Sequence, residues 1–94
     1  MKILEIIHLR LAGDSPQTLA GIIRNAISSG PDPEVVTLYR RKGLETDLAI
    51  HICHLKMFGS ERPSVLGLRL ASALGDFGLV EHTVWVEHTE TINE

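Results

Sequence analysis

An α+β sandwich, one four-stranded antiparallel sheet with two helices on a single face, is the fold that this 94-residue chain predicts. Three observations carry it. Four segments have the two-residue period or the β-branched, aromatic composition of strands, two others space apolar residues three and four apart as helices do, and the six alternate as β-α-β-β-α-β.

The first strand is expected over Ile3–Leu11, apolar on both sides, with Ile3, Ile7, Leu9 and Leu11 on one face and Leu4 and Ile6, then His8 and Arg10, on the other. A strand apolar on both faces lies centrally, covered from both sides. Gly13-Asp14-Ser15-Pro16 ends it and opens a helix, with Ser15 as N-cap and Pro16 at the first helical position, where its missing N–H costs nothing. Leu19, Ile22, Ile23, Ala26 and Ile27 form one helical stripe, which Gly30 closes and Pro31 and Pro33 keep from continuing.

Glu34–Arg41, rich in β-branched and aromatic residues, is the second strand. The basic run Arg40-Arg41-Lys42 before Gly43 reads as a solvated hairpin turn. The third strand, Asp47–Met57, places Leu48, Ile50, Ile52 and His54 on one face and Ala49, His51, Cys53 and Leu55 on the other. After a loop at Phe58–Arg62, Pro63 falls in the first turn of a second helix with the stripe Leu66, Leu70, Ala73, Leu74 and Phe77, capped by Gly78. Leu79–Thr89 is the last strand, with Val80, His82, Val84, Val86 and His88 on one face and Glu81, Thr83, Trp85 and Glu87 on the other; residues 90–94 form a polar tail that frays. Two split β-α-β units with right-handed crossovers make this a ferredoxin-like sandwich. The first and third strands are expected as the central pair, running parallel.

The length suits a single domain over residues 1–94. A net charge of -3 opposes the counterion-release binding on which nucleic-acid proteins rely, so no nucleic-acid partner is expected. No stretch approaches the ~20 apolar residues of a membrane span, and Glu5 and His8 interrupt what a signal peptide would keep uncharged. The lone Cys53 excludes an internal disulfide and fits a reducing, cytoplasmic setting.

With both helices on one side, the other side of the sheet carries Leu4, Ile6, Ala49, Cys53, Leu55, Tyr39 and Trp85. An apolar surface of that extent is more than a monomer normally exposes. The economical cover is a second copy packed sheet to sheet in a closed homodimer.

The strand Lys2–Ala12, the helix after Ser15-Pro16 and the run Val36-Thr37-Leu38-Tyr39-Arg40-Arg41, together with the third strand, second helix and final strand, resemble the dimeric α/β-barrel superfamily, most nearly its antibiotic-biosynthesis-monooxygenase-like group. That resemblance implies a homodimer with a pocket between sheet and helices. The activities it implies are cofactor-free oxygenation of polycyclic phenols, haem degradation or isomerisation. Two departures narrow it. Haem-degrading relatives use an Asn, a His and a Trp, whereas Asn25 here lies on a helix and Asn93 in the tail; and His54-Leu55 stands where the monooxygenase-like proteins carry Glu-Trp.

Among polar residues, His51 and His54 look like a metal pair, but residues i and i+3 of a strand point to opposite faces. His51 shares its face with Cys53 and, from the neighbouring strand, His8. Imidazole and thiolate are Zn-type ligands and also the parts of a Cys-His nucleophile, yet the plainer use of His8, His51 and Cys53 is to line the dimer face. No metal and no cofactor is expected, and phosphate-binding loops and HExxH motifs are absent. His54, on the helix-facing side, is the first candidate for a catalytic base, with His51 as the alternative. Tyr39, His54 and Trp85 are the expected ligand-binding set, the two aromatic rings stacking on a small flat organic molecule. The expected function is cofactor-independent oxygenase or isomerase chemistry on such a ligand, the alternative a non-catalytic dimer serving regulation or assembly.

Overall fold

The computed structural model describes residues 2–12, 18–28, 35–44, 46–54 and 64–88. Among these, the chain runs β1 (Ile3–Leu11), α1 (Thr18–Ser28), β2 (Val35–Arg40), β3 (Asp47–His54), α2 (Val65–Leu74) and β4 (Gly78–Val86). The sheet order is β2-β3-β1-β4 and every neighbouring pair is antiparallel. This is the ferredoxin-like α+β sandwich.

One expectation is corrected. β1 and β3 are the central pair, but they run antiparallel, with Ile3 opposite His54 and Arg10 opposite Asp47. The crossovers dictate this: each right-handed β-α-β unit joins parallel strands that are not neighbours, so the strand inserted between them must point the other way. The two central strands carry the core because sheet neighbours flank both. Ile3, Ile7, Leu9 and Leu11 of β1 and Ile50 and Ile52 of β3 are buried beneath Leu19, Ile23 and Ala26 of α1 and Leu66, Leu70 and Leu74 of α2.

Helix α2 begins at Val65, two residues after the proline expected in its first turn. Ser64 is its N-cap, with Oγ accepting from the Gly67 N–H at 2.9 Å. Gly78 is not its cap. The helix ends at Leu74 with Gly75 as C-cap, Phe77 lies in the turn and packs on the core, and Gly78 is the first residue of β4. A Cβ there would fall on the carbonyl oxygen of Arg10 across the β1–β4 ladder, so close approach of backbones, not helix termination, is what requires glycine. Gly43, at φ +80°, closes the turn in which the Leu44 N–H donates to the Arg41 carbonyl at 3.2 Å. Arg40, Arg41 and Lys42 are exposed around it. The expected caps at Ser15 and Gly30, the loop at Phe58–Arg62 and Leu55–Met57 lie outside the described residues.

A pair of glycine substitutions tests this assignment. Gly78→Ala is expected to destabilise by roughly 1–3 kcal/mol, because backbone cannot move aside as a side chain can. Gly21→Ala, in the exposed interior of α1 with nothing within 4 Å of the new methyl, is expected to stabilise by about 0.5–1 kcal/mol. Urea denaturation reads both, and equal effects would contradict the close approach at Gly78.

Candidate functional site

Strand alternation puts Glu5 on the same face of β1 as Ile3, Ile7 and Leu9, and the carboxylate is buried to 1% exposure. An ionised group in that position costs several kcal/mol unless hydrogen bonds replace its water. Three do. His54 Nε2 of β3 lies 2.7 Å from Oε1, His82 Nε2 of β4 lies 2.8 Å from Oε2, and the backbone N–H of Ser64 donates to Oε1 at 3.1 Å. The register explains the meeting: Glu5 is opposite Ile52 and Val84, so His54 and His82 are its diagonal neighbours on the two flanking strands. Helix α2 approaches from above through Gly67, where a Cβ would collide with Glu5 Oε2 and crowd His82 Nε2.

Burial pushes the Glu5 pKa up, but hydrogen bonds from Ser64, His82 and His54 outweigh it and hold the carboxyl below its ordinary range. As an ionised carboxylate only accepts, each imidazole donates its Nε2–H, and the lone pair of the neutral ring then sits on Nδ1. Neither Nδ1 has a hydrogen-bond partner among the described residues. Both side chains are 13% exposed, nearly closed off yet reachable. The arrangement is a pair of imidazoles sharing one buried carboxylate.

The opposite face of the sheet holds a second charged group. Asp47, also 1% exposed, accepts from His8 Nε2 at 3.0 Å and Arg41 at 3.2 Å, with Arg10 Nε at 3.4 Å. Desolvation raises its pKa, and His8, Arg41 and Arg10 more than reverse that, leaving it lowered. Beside this cluster, Tyr39 tilts against His51 with ring centroids 4.5 Å apart, and Trp85 Nε1 donates to Thr83 Oγ1 at 2.9 Å. A cavity of about 370 Å³ lies among Ile6, His8, Tyr39, Ala49, Thr83 and Trp85.

The structure thus divides the residues singled out from the sequence. His54 faces the helices, and it joins Glu5 and His82. His8, His51 and Cys53 share the open face with Tyr39 and Trp85, as their register shows: Cys53 opposite Leu4, His51 opposite Ile6, His8 opposite Ala49. Tyr39 and Trp85 therefore do not share a pocket with His54. Among the described residues no three His, Cys, Asp or Glu side chains are placed to hold a metal ion. Three contributors were missed: Glu5, Asp47 and His82. The signal for Glu5 was its parity, a carboxylate on the buried side of a central strand.

The sheet order and helix placement define an α+β protein of ferredoxin-like fold. Two solved structures have that fold. Rv0793 from Mycobacterium tuberculosis superposes with a TM-score of 0.65 at 16% identity, over 98% of this chain and 100% of its own. SnoaB, a cofactor-independent oxygenase from Streptomyces nogalater, does so with a TM-score of 0.65 at 15% identity, over 99% of this chain and 98% of its own. No family model and no curated protein sequence matches the chain. No helix among the described residues is long and apolar enough to cross a membrane.

The sign of the Glu5 shift sets an acid response. A carboxyl whose folded pKa is lowered stabilises the fold fully above its ordinary value near 4.5, and loses that contribution as pH falls through the folded value. Glu5→Gln is therefore expected to cost roughly 1–3 kcal/mol at neutral pH, with the margin to wild type shrinking below pH ~4.5. Chemical denaturation at pH 7 and at pH 3 measures the margin; one unchanged between them would detach Glu5 from the acid response.

Proposed function

We propose that this chain forms a homodimer, sheet against sheet, and acts on a small flat organic molecule without a cofactor, His54 being the base that removes its proton. The observation that carries the reading is the Glu5 carboxylate buried between two imidazoles. Glu5 fixes the tautomer of His54 and stabilises the imidazolium as Nδ1 takes a proton, the role a buried carboxylate plays behind any histidine base. His82, bound to the same carboxylate, helps to hold Glu5 ionised and in place behind His54.

Proton removal from a phenol, or from a carbon between aromatic rings and a carbonyl, leaves an electron-rich anion. Such an anion reduces dissolved O2 directly: a CH2 becomes C=O, one oxygen atom entering the product and the other leaving as water. Returned to a different carbon, the same proton gives an isomer. The likeness in fold to a cofactor-independent oxygenase supports the first outcome. For the homodimer, the support is the open face, where Val35, Tyr39, Leu79 and Trp85 are half or more exposed.

Oxygen uptake with anthrone as substrate and no added cofactor tests the chemistry. Uptake above the buffer rate is expected, falling by about 10²-fold or more in His54→Gln, in keeping with the loss of a general base. Wild-type uptake no faster than buffer would remove the oxygenase reading. Light scattering during size exclusion tests the assembly separately, the expected mass being that of two chains at micromolar concentration; a monomer throughout would refute sheet-to-sheet pairing.

A further inference from the structure

We infer that the Glu5–His54–His82 centre is a proton-operated latch: it holds the first turn of helix α2 on the sheet while at most one imidazole is charged, and releases that turn in mild acid, when both are. The latch does not rest on the activity proposed for His54.

It closes on a turn with little else to hold it. Val65 and Leu68 are 65% and 54% exposed, so Leu66 is the one large apolar side chain by which the first turn enters the core. The other attachments are polar: the Ser64 N–H donates to Glu5 Oε1, and Gly67 sits against Glu5 Oε2 and His82 Nε2. Further along, Leu70 and Leu74 are buried in the core and Arg69 donates to the Ala26 carbonyl of α1. The helix can therefore lift at its N-terminal end while the rest stays docked.

Charge decides when it lifts. The unbonded N–H groups at a helix N-terminus carry partial positive charge and favour an anion. α2 has no acidic residue in its first turn, and Glu5 supplies the charge from β1. With both imidazoles neutral, the centre carries one negative charge beneath the helix end. One proton, on either ring, makes it neutral; a second makes it positive, buried and facing the positive end of α2. Among the described residues, the groups that face the carboxylate are His54 of β3, His82 of β4 and Ser64 of α2, while α1 brings Leu19, Ile23 and Ala26 to the core. His8 and Asp47 stand on the other face of the sheet. Glu5 stays ionised meanwhile, because its hydrogen bonds hold its carboxyl below the ordinary range. Each added proton also turns an Nδ1 into a donor, and neither Nδ1 has a hydrogen-bond partner among the described residues. Water supplies one when the turn lifts. The open form thus binds the second proton more tightly, and acid favours it.

Amide hydrogen exchange of the whole chain, followed by NMR and corrected for the intrinsic effect of pH, tests the latch. The Gly67 and Leu68 amides, bonded to Ser64 Oγ and to the Ser64 carbonyl, report the first turn, and the Gly75 amide, bonded to the Ala71 carbonyl, reports the far end. Opening linked to one proton gains up to about tenfold per pH unit, so the protection of Gly67 and Leu68 is expected to fall by about tenfold between pH 7 and pH 5.5, with Gly75 unchanged. His82→Gln and His54→Gln each keep a donor for Glu5 and remove one of the two charges, and in each the fall is expected to vanish; thermal melts at both pH values show which variants are folded. His8→Gln, on the other face, is expected to behave as wild type. Protection that holds in wild type at pH 5.5, that falls equally at Gly75, or that falls as far in either folded variant of the pair would each overturn the latch.

Discussion

A single carboxylate joins the parts of this molecule that have to stay in register. Glu5 belongs to β1, its two imidazole partners to β3 and β4, and its backbone partner to the residue that caps α2. Three strands and one helix therefore meet at two oxygen atoms. An aliphatic side chain there would bury as much surface, but it would not specify which residue of each neighbour comes to it. Directional bonds do, at the expense of desolvating a charge.

The same strand alternation that hides Glu5 separates two kinds of chemistry. Beneath the helices, nearly closed to water, the histidines on Glu5 each keep one nitrogen without a partner among the described residues. On the other face, charges gather at Asp47 and aromatic rings stand at the sheet edges. Each face has one buried carboxylate with imidazole on it, and in each the carboxylate settles which ring nitrogen is left to act. They differ in access: His54 and His82 are almost enclosed, His8 about a third exposed.

Most of the fold was legible because apolar periodicity is a property of consecutive residues. Ile3 to Leu11 showed a central strand, Leu19 to Ile27 one face of a helix, and the order of elements their arrangement in layers. The failures share a different cause. Whether β1 and β3 run parallel follows from how crossovers interleave, a relation among four elements that no single segment displays. Gly78 was read as a local stop signal, whereas the backbone of Arg10 decides it, 68 positions earlier. The candidate site was half legible: alternation separates His54 from His51 and Cys53, but a lone Glu5 among apolar residues signals nothing by type, and only its parity with Ile3 and Ile7 puts it in the core. His82 could not be joined to it without the register of β1 on β4.

The contact of Gly67 with Glu5 reaches beyond this one chain. No side chain fits at position 67 while a carboxylate bridges two imidazoles below it, and that carboxylate has no reason to be at position 5 if either imidazole is lost. Descent with modification must then treat positions 5, 54, 67 and 82 as a unit. An apolar residue in place of Glu5 would release the glycine to become alanine and the two histidines to drift, whereas a retained glutamate would hold all four. The imprint of the site is a joint restriction on distant alignment columns rather than a local motif.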